Sequence, residues 1–305
     1  MPKAQFVIVT PAESGQKLLQ FLERRLTGDV PRSAIQKWIR KGQVRVDKGR
    51  KKPFDRITAG QEVRIPPYTP GEITTPVTTA VTGTTGNLVA VFEDDDILAI
   101  AKPAGLAVHG GDKVTDSVAA RLKTLFPNAN FMPTLAHRLD RDTSGLLLAA
   151  KNYETLRALN DLFAVGSVGK LYLTWVQGQW REPDETLLED RLEKSGAPGA
   201  EKVRPGFGKT ALARVTCLVS NRQHSLLAVR LITGRTHQIR VQLASRNHPV
   251  VGDKKYGKSQ TRGPMRLHCY AMRVQEKTIS LPPPWTNKWE TPPDALKQAL
   301  GLLYE

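Results

Sequence analysis

One stretch constrains this chain more than any other. His137-Arg138-Leu139-Asp140-Arg141-Asp142-Thr143-Ser144-Gly145 runs directly into Leu146-Leu147-Leu148-Ala149-Ala150. A short apolar run bounded by a turn signal reads as a buried strand, so the charged nonapeptide sits at the strand's entry. It places one carboxylate, Asp140, between Arg138 and Arg141. An opposite charge close by favours the ionised form of a carboxyl. An ionised carboxylate at the edge of a rigid strand can act as a nucleophile or a base. The plain alternative is an arginine-paired structural Asp.

Length and charge set the context. A chain of 305 residues allows one large domain plus a small one, or two medium ones. Lys+Arg of 45 against Asp+Glu of 29 gives +16, which favours a polyanionic partner. The sign alone does not separate nucleic acid from an acidic membrane surface. However, no basic amphipathic helix carries the Trp/Phe/Leu face of a membrane binder, and no apolar run approaches the ~20 residues of a membrane span. The N-terminal MPKAQFVIVT is too short in apolar residues for a signal-peptide core. Cys217 and Cys269 lack metal or redox spacing, which argues against a disulfide framework and a zinc site. A reducing cytoplasm is the expected location.

The charge is uneven. Residues 1–67 hold 15 Lys/Arg and 6 Asp/Glu, so +9 of the total sits there. Residues 68–88 hold no Lys or Arg and eight Thr, and read as an extended linker. The domain with the Asp140 motif then occupies 89–305. In the first block Ser14 is a candidate N-cap for a helix with Leu18, Leu22 and Leu26 in one row. Ser33 is a candidate cap for a second helix, with Ile35, Trp38 and Ile39 inward and Gly42 as its stop. That helix carries Arg32, Lys37, Arg40 and Lys41. Two short strands, Gln43–Val46 and Glu62–Ile65, follow. This order and the string RSAIQKWIRKGQVRVDKGR resemble the alpha-L RNA-binding fold of small-subunit ribosomal protein four. The resemblance implies RNA contacts from Arg32, Lys37, Arg40 and Lys41.

The larger domain opens with a predicted hairpin, Val89–Phe92 and Ile97–Ile100 around Glu93-Asp94-Asp95-Asp96. Four acids in a row suggest a metal cluster, but a solvated turn is the simpler reading. Lys102-Pro103-Ala104-Gly105 and Ala107-Val108-His109-Gly110-Gly111 follow. Helices are expected near 115–126 and over 153–165, and Gly234 is a candidate helix start. Strands are marked by Leu171, Leu173, Trp175, Ala211, Ala213, Val215, Leu226 and Val229. Helices and strands mixed without a βαβα rhythm favour an α+β domain.

Taken with Gly169-Lys170-Leu171-Tyr172 and Gly234-Arg235-Thr236-His237-Gln238-Ile239-Arg240-Val241-Gln242, these strings resemble the RluA family of RNA pseudouridine synthases. Its signature is HRLDxxTSG, and the likeness is greatest to the RluC branch. The resemblance implies a pseudouridine synthase fold: a mixed, largely antiparallel sheet with a central cleft. It also implies isomerisation of specific uridines, with 23S ribosomal RNA of the large subunit as the expected substrate. Asp140 is the expected catalytic carboxylate, by attack on the base, attack on the sugar or proton abstraction from the ribose. Tyr172 is expected to contact the target base, with its hydroxyl in proton transfer. Arg240 is the first choice for the cation paired with Asp140, and Arg235 is the second choice or a phosphate contact. Arg138 is expected to intrude into the RNA. His137 and His237 read as hydrogen-bonding support, and Gly252–Gly257 as loop closure. An isomerisation needs no electron carrier, so no cofactor and no metal are expected. A monomer acting on RNA without a membrane is the resulting picture. The rivals are a non-catalytic RNA-binding factor and a metal-dependent RNA hydrolase.

Overall fold

The computed structural model describes residues 3–26, 30–68, 88–110, 116–196, 202–257 and 263–304. Their contacts form two compact units. The first takes the described residues up to Tyr68 with 122–134 and 150–158; the second takes the remainder. Of the expected linker, only Tyr68 and Leu88 lie inside the described residues.

In the first unit β1 (Gln5–Ile8), α1 (Leu18–Arg25), α2 (Arg32–Arg40), β2 (Arg45–Val46) and β3 (Glu62–Ile65) appear in that order. The strands form an antiparallel sheet ordered β1-β3-β2. Leu18, Leu22, Ile35 and Ile39 meet Phe21, Ile57 and Val63 in one core. Trp38 is only partly buried, 5.8 Å from the Tyr68 ring. Neither predicted cap holds. Lys17 occupies the N-cap of α1, because a 3-10 turn over Pro11–Glu13 precedes it, and the Ser14 hydroxyl instead accepts the Ala59 N–H. Pro31 occupies the N-cap of α2, since its fixed φ already suits an extended entry to the helix. Gly42, at φ +69, is the left-handed stop expected. Arg32, Lys37, Arg40 and Lys41 are all exposed, and Arg32 pairs with Glu23 at 3.1 Å.

The remaining strands form one eleven-stranded sheet among the described residues. They are β4 (Val89–Glu93), β5 (Ile97–Lys102), β6 (Thr134–Leu135), β7 (Ser144–Ala150), β8 (Gly169–Gln177), β9 (Thr186–Ser195), β10 (Lys202–Pro205), β11 (Lys209–Ser220), β12 (His224–Leu231), β13 (Leu267–Val274) and β14 (Lys277–Ser280). The main path runs β10-β9-β11-β12-β8-β13-β7-β5-β4. Only the β13–β7 register is parallel among those resolved; the rest are antiparallel. Helices α3 (Val118–Leu125), α4 (Tyr153–Ala164), α5 (Gln238–Ser245) and α6 (Pro293–Gly301) complete the α+β arrangement. The acids between β4 and β5 close a turn: Asp94 accepts the backbone N–H of Asp96 and Ile97 and pairs with Lys277.

The strand predicted to be buried is β7, and every residue in it is buried. It needs glycine at its second position. Gly145 has φ +116, and a Cβ there would stand 2.4 Å from the Cys269 carbonyl oxygen. Two histidines tie β7 to its surroundings. His137 Nε2 accepts the Leu148 N–H at 3.0 Å. His268 bridges the Ser144 hydroxyl (2.8 Å) and the Leu281 carbonyl (2.9 Å). Burial pushes the first down to about 3 and the second to about 4. Both are therefore neutral in the folded protein, whereas the unfolded chain takes up protons below about 6.5. Stability is then full above that pH and falls as pH drops toward the folded values. At about 1.4 kcal/mol per unit and per group, the pair removes about 4 kcal/mol by pH 5. Urea denaturation at pH 7 and pH 5 checks this; an unchanged midpoint would refute it.

Candidate active site

Asp140 lies in the turn before β7, where the Thr143 N–H donates to its carbonyl at 3.2 Å. The next residue is clamped from the KPAG segment. Lys102, 2% exposed, donates its ammonium to the carbonyls of Pro103 (2.9 Å), Leu106 (2.7 Å) and Arg141 (2.9 Å). Burial lowers that lysine to about 8. Three backbone acceptors are what allow a cation to stay there.

The arginines beside Asp140 in sequence do not hold its carboxylate. Arg141 pairs with Asp142 at 3.2 Å, and Arg138 is exposed on the cleft wall. The pair comes from α5: Arg240 Nη1 donates to Asp140 Oδ2 at 2.8 Å. The same guanidinium grips Asp253 in a fork, Nε to Oδ2 at 2.8 Å and Nη2 to Oδ1 at 2.9 Å. Asp253 also accepts the N–H groups of Lys255 and Tyr256. Burial works against both charges. For Arg240, hydrogen bonds and charge from Asp253 and then Asp140 outweigh it and raise the guanidinium above its ordinary value. For Asp253, Arg240 and the two N–H groups outweigh it and hold the carboxyl below its ordinary value. Asp140 Oδ1 has no hydrogen-bond partner among the described residues.

Helix α5 does not start at Gly234. The Gln238 side chain folds back onto the loop, accepting the Arg235 N–H at 3.0 Å and the Thr233 hydroxyl at 2.8 Å. This keeps 233–237 as a loop and delays the helix to Gln238, with His237 in left-handed conformation as N-cap. Arg235 Nε donates to the Thr210 carbonyl at 2.9 Å, away from Asp140. Of the two candidate cations, Arg240 is the one paired.

Tyr172 projects from β8 into the same cavity as Asp140, Arg138, Arg235 and Arg240. Burial raises its phenol well above the ordinary value, with the Cys269 thiol and then the Asp140 charge adding to the effect. A second cavity shares Arg138, Asp140, His237 and Arg240 and is walled by Lys202, Lys254, Lys255 and His109. Asp140 thus stands at the junction of a small pocket and a basic cleft. Sequence reasoning missed Asp253, which lies in a loop taken for packing. The signal was an acid between Gly252 and two lysines, with no reason of its own to be there.

Comparison with known proteins gives the family. A family model described as RNA pseudouridylate synthase matches residues 96–245, and an S4 domain model matches residues 16–63. The chain is 39% identical over 259 residues to "Ribosomal large subunit pseudouridine synthase C" of Escherichia coli K12, covering 84% of this chain and 81% of that protein. It is 38% identical to the protein of that name in Pasteurella multocida, covering 99% of this chain and 94% of that one. The fold resembles human RNA pseudouridylate synthase domain containing 1, with a TM-score of 0.58 at 24% identity, over 70% of this chain and 95% of that chain.

Proposed function

This chain belongs to the RNA pseudouridylate synthase family, and we propose that it isomerises specific uridines of large-subunit ribosomal RNA through the Asp140 carboxylate. The observation that supports this reading is the Asp140–Arg240 pair, formed across 100 positions of sequence at the mouth of a basic cleft. The relatives' names supply the substrate class. The reaction breaks the C1′–N1 bond, turns the base and forms a C1′–C5 bond. C5 loses a proton and N1 gains one, so no oxidant, reductant or water is consumed. In our reading Arg240 orients the carboxylate, Oδ1 faces the target nucleotide, and the enzyme works as a cytoplasmic monomer without cofactor or metal. Arg138 and Arg235 contact RNA at the cleft. Arg32, Lys37, Arg40 and Lys41 supply phosphate contacts from the S4 domain. Mapping pseudouridines in ribosomal RNA from cells with and without the gene tests this. Loss at defined large-subunit uridines is expected, and an identical map would overturn the proposal.

Tyr172 divides the chemistry from the stacking. A uridine turned out of its helix needs a flat partner, worth about 1–3 kcal/mol, or about 5- to 150-fold. Burial keeps the Tyr172 phenol protonated. In our reading the ring rather than the hydroxyl is the working part, with Asp140 as the acceptor for the C5 proton. Tyr172→Phe should keep turnover within about tenfold of wild type, and Tyr172→Leu should lose the stacking factor. Single-turnover rates decide. A Phe variant as slow as the Leu variant would return proton transfer to the hydroxyl.

A further inference from the structure

His237 figures so far only as hydrogen-bonding support and as the N-cap of α5, yet it lines both cavities that meet at Asp140. Its backbone is left-handed, at φ 53. Few residues other than glycine adopt that conformation, and strain of this kind gathers at functional sites. The imidazole sits in a chain of groups. Nδ1 lies 2.7 Å from the Tyr256 hydroxyl oxygen. That oxygen accepts the Val203 N–H of β10 at 3.1 Å. Nε2 lies 3.8 Å from Asp140 Oδ2, beyond hydrogen-bond reach. The Tyr256 ring is itself held, with the Arg240 guanidinium 5.1 Å from its centre.

The partners of the phenol point to one tautomer. The Tyr256 oxygen gives one lone pair to Val203, and its single proton has His237 Nδ1 as its one acceptor among the described residues. With the phenol donating, Nδ1 presents a lone pair and the proton of the neutral imidazole is on Nε2; the opposite arrangement, an Nδ1–H donated to the second phenol lone pair, is the outcome the measurement below separates from it. Burial keeps the ring below its ordinary value; Asp140 opposes this, and Arg240 and Lys255 reinforce it. The result is a neutral N–H donor beside the carboxylate, with no acceptor of its own among the described residues.

Three oxygens adjoin the C1′–N1 bond of a uridine: O4′ on C1′ itself, the 2′-oxygen of the ribose and O2 of the uracil. O4′ gives up electron density to C1′ as that bond breaks, which leaves the 2′-oxygen and O2 as the acceptors for a donor. A donor this close to the carboxylate reaches one of them when Asp140 lies against that bond. We propose that Tyr256 locks His237 as the Nε2–H tautomer, and that this N–H holds an oxygen adjoining the glycosidic bond in register with Asp140. This rests on the functional reading given above. His237 is then a catalytic residue in contact with substrate, and Tyr256 a positioning residue acting through it.

The lock is read on the full-length protein without RNA. Nitrogen-15 NMR of the histidines at pH 7 should show His237 with protonated Nε2 and unprotonated Nδ1. Tyr256→Phe should leave the ring in a mixture of tautomers. A protonated Nδ1 in wild type, or an unchanged tautomer in the Phe variant, overturns the lock. The donor is read by single turnover on a synthetic RNA carrying a mapped target uridine. His237→Ala should slow turnover about 100-fold, the cost of losing one oriented donor. His237→Gln, which returns an amide N–H near the Nε2 position, should recover much of that loss, separating donation from a mere folding defect. With 2′-deoxyuridine or 2-thiouridine at the target, the His237→Ala penalty should vanish for whichever analogue lacks the contacted oxygen. A penalty that persists in full on both analogues overturns the donor role. Wild type that forms no pseudouridine overturns the functional reading and the donor role with it, while the tautomer result stands or falls separately.

Discussion

Asp140→Asn is expected to abolish pseudouridine formation, by on the order of 10⁴-fold, the upper end of what one positioned proton-transfer group supplies. An amide keeps the shape of the carboxylate and can neither attack nor take a proton. The fold should survive the change. Arg240 retains both bonds of its fork to Asp253 when the Asp140 charge is removed, so no buried cation is stranded. Asp140 is itself partly exposed, at 24% of its side chain. RNA affinity should stay within a few fold, since the cleft keeps Arg138, Lys202, Lys254 and Lys255. Tritium release from RNA labelled at uridine C5, together with filter binding of the same RNA, checks both halves. Turnover near wild type would remove Asp140 from the chemistry. Lost binding with it would mean that the charge holds the cleft open rather than reacting.

The separation of these two acids explains what was legible in the chain. Asp140, Tyr172 and Arg240 each lie in a distinctive string at the end of or within a buried element, so residue type and context pointed the same way. Asp253 serves no visible pattern. A buried counter-charge and a solvated loop acid look alike until the partner is placed, and the partner is on α5. Arg138 and Arg141, neighbours in sequence, do not hold the Asp140 carboxylate, since adjacency along the chain is not adjacency across a strand entry; Arg240, the cation expected from its string, does. The hairpin β4–β5, the all-buried β7 and the amphipathic α2 and α4 followed from apolar periodicity. Helix starts did not: Pro31 and Lys17 took positions where Ser33 and Ser14 have the better capping chemistry. Tertiary contacts overrode local preference there. β1 was hidden because its burial pattern hardly alternates, and β9–β10 because polar residues dominate an edge hairpin.

Asp253→Ala should injure the protein more broadly than Asp140→Asn. The Asp253 side chain is 0% exposed and the Arg240 side chain 7%. Removing one partner of such a pair leaves a buried charge uncompensated, at a cost of about 3–5 kcal/mol. Asp140 supplies Arg240 with a single remaining bond, to Nη1, so Nε and Nη2 would be left without an acceptor. The loop also loses the carboxylate that accepts the Lys255 and Tyr256 N–H groups. The urea midpoint should therefore fall sharply, and activity should fall with it even where the protein remains folded, because Arg240 no longer has a fixed position from which to aim Asp140. Asp253→Asn keeps one carbonyl acceptor and should lie between the two. Equilibrium denaturation at pH 7, beside turnover at saturating RNA in low urea, checks the ordering wild type, Asn, Ala. Equal stability for Ala and wild type would show that the fork contributes no net stability, leaving Arg240 held by Asp140 alone.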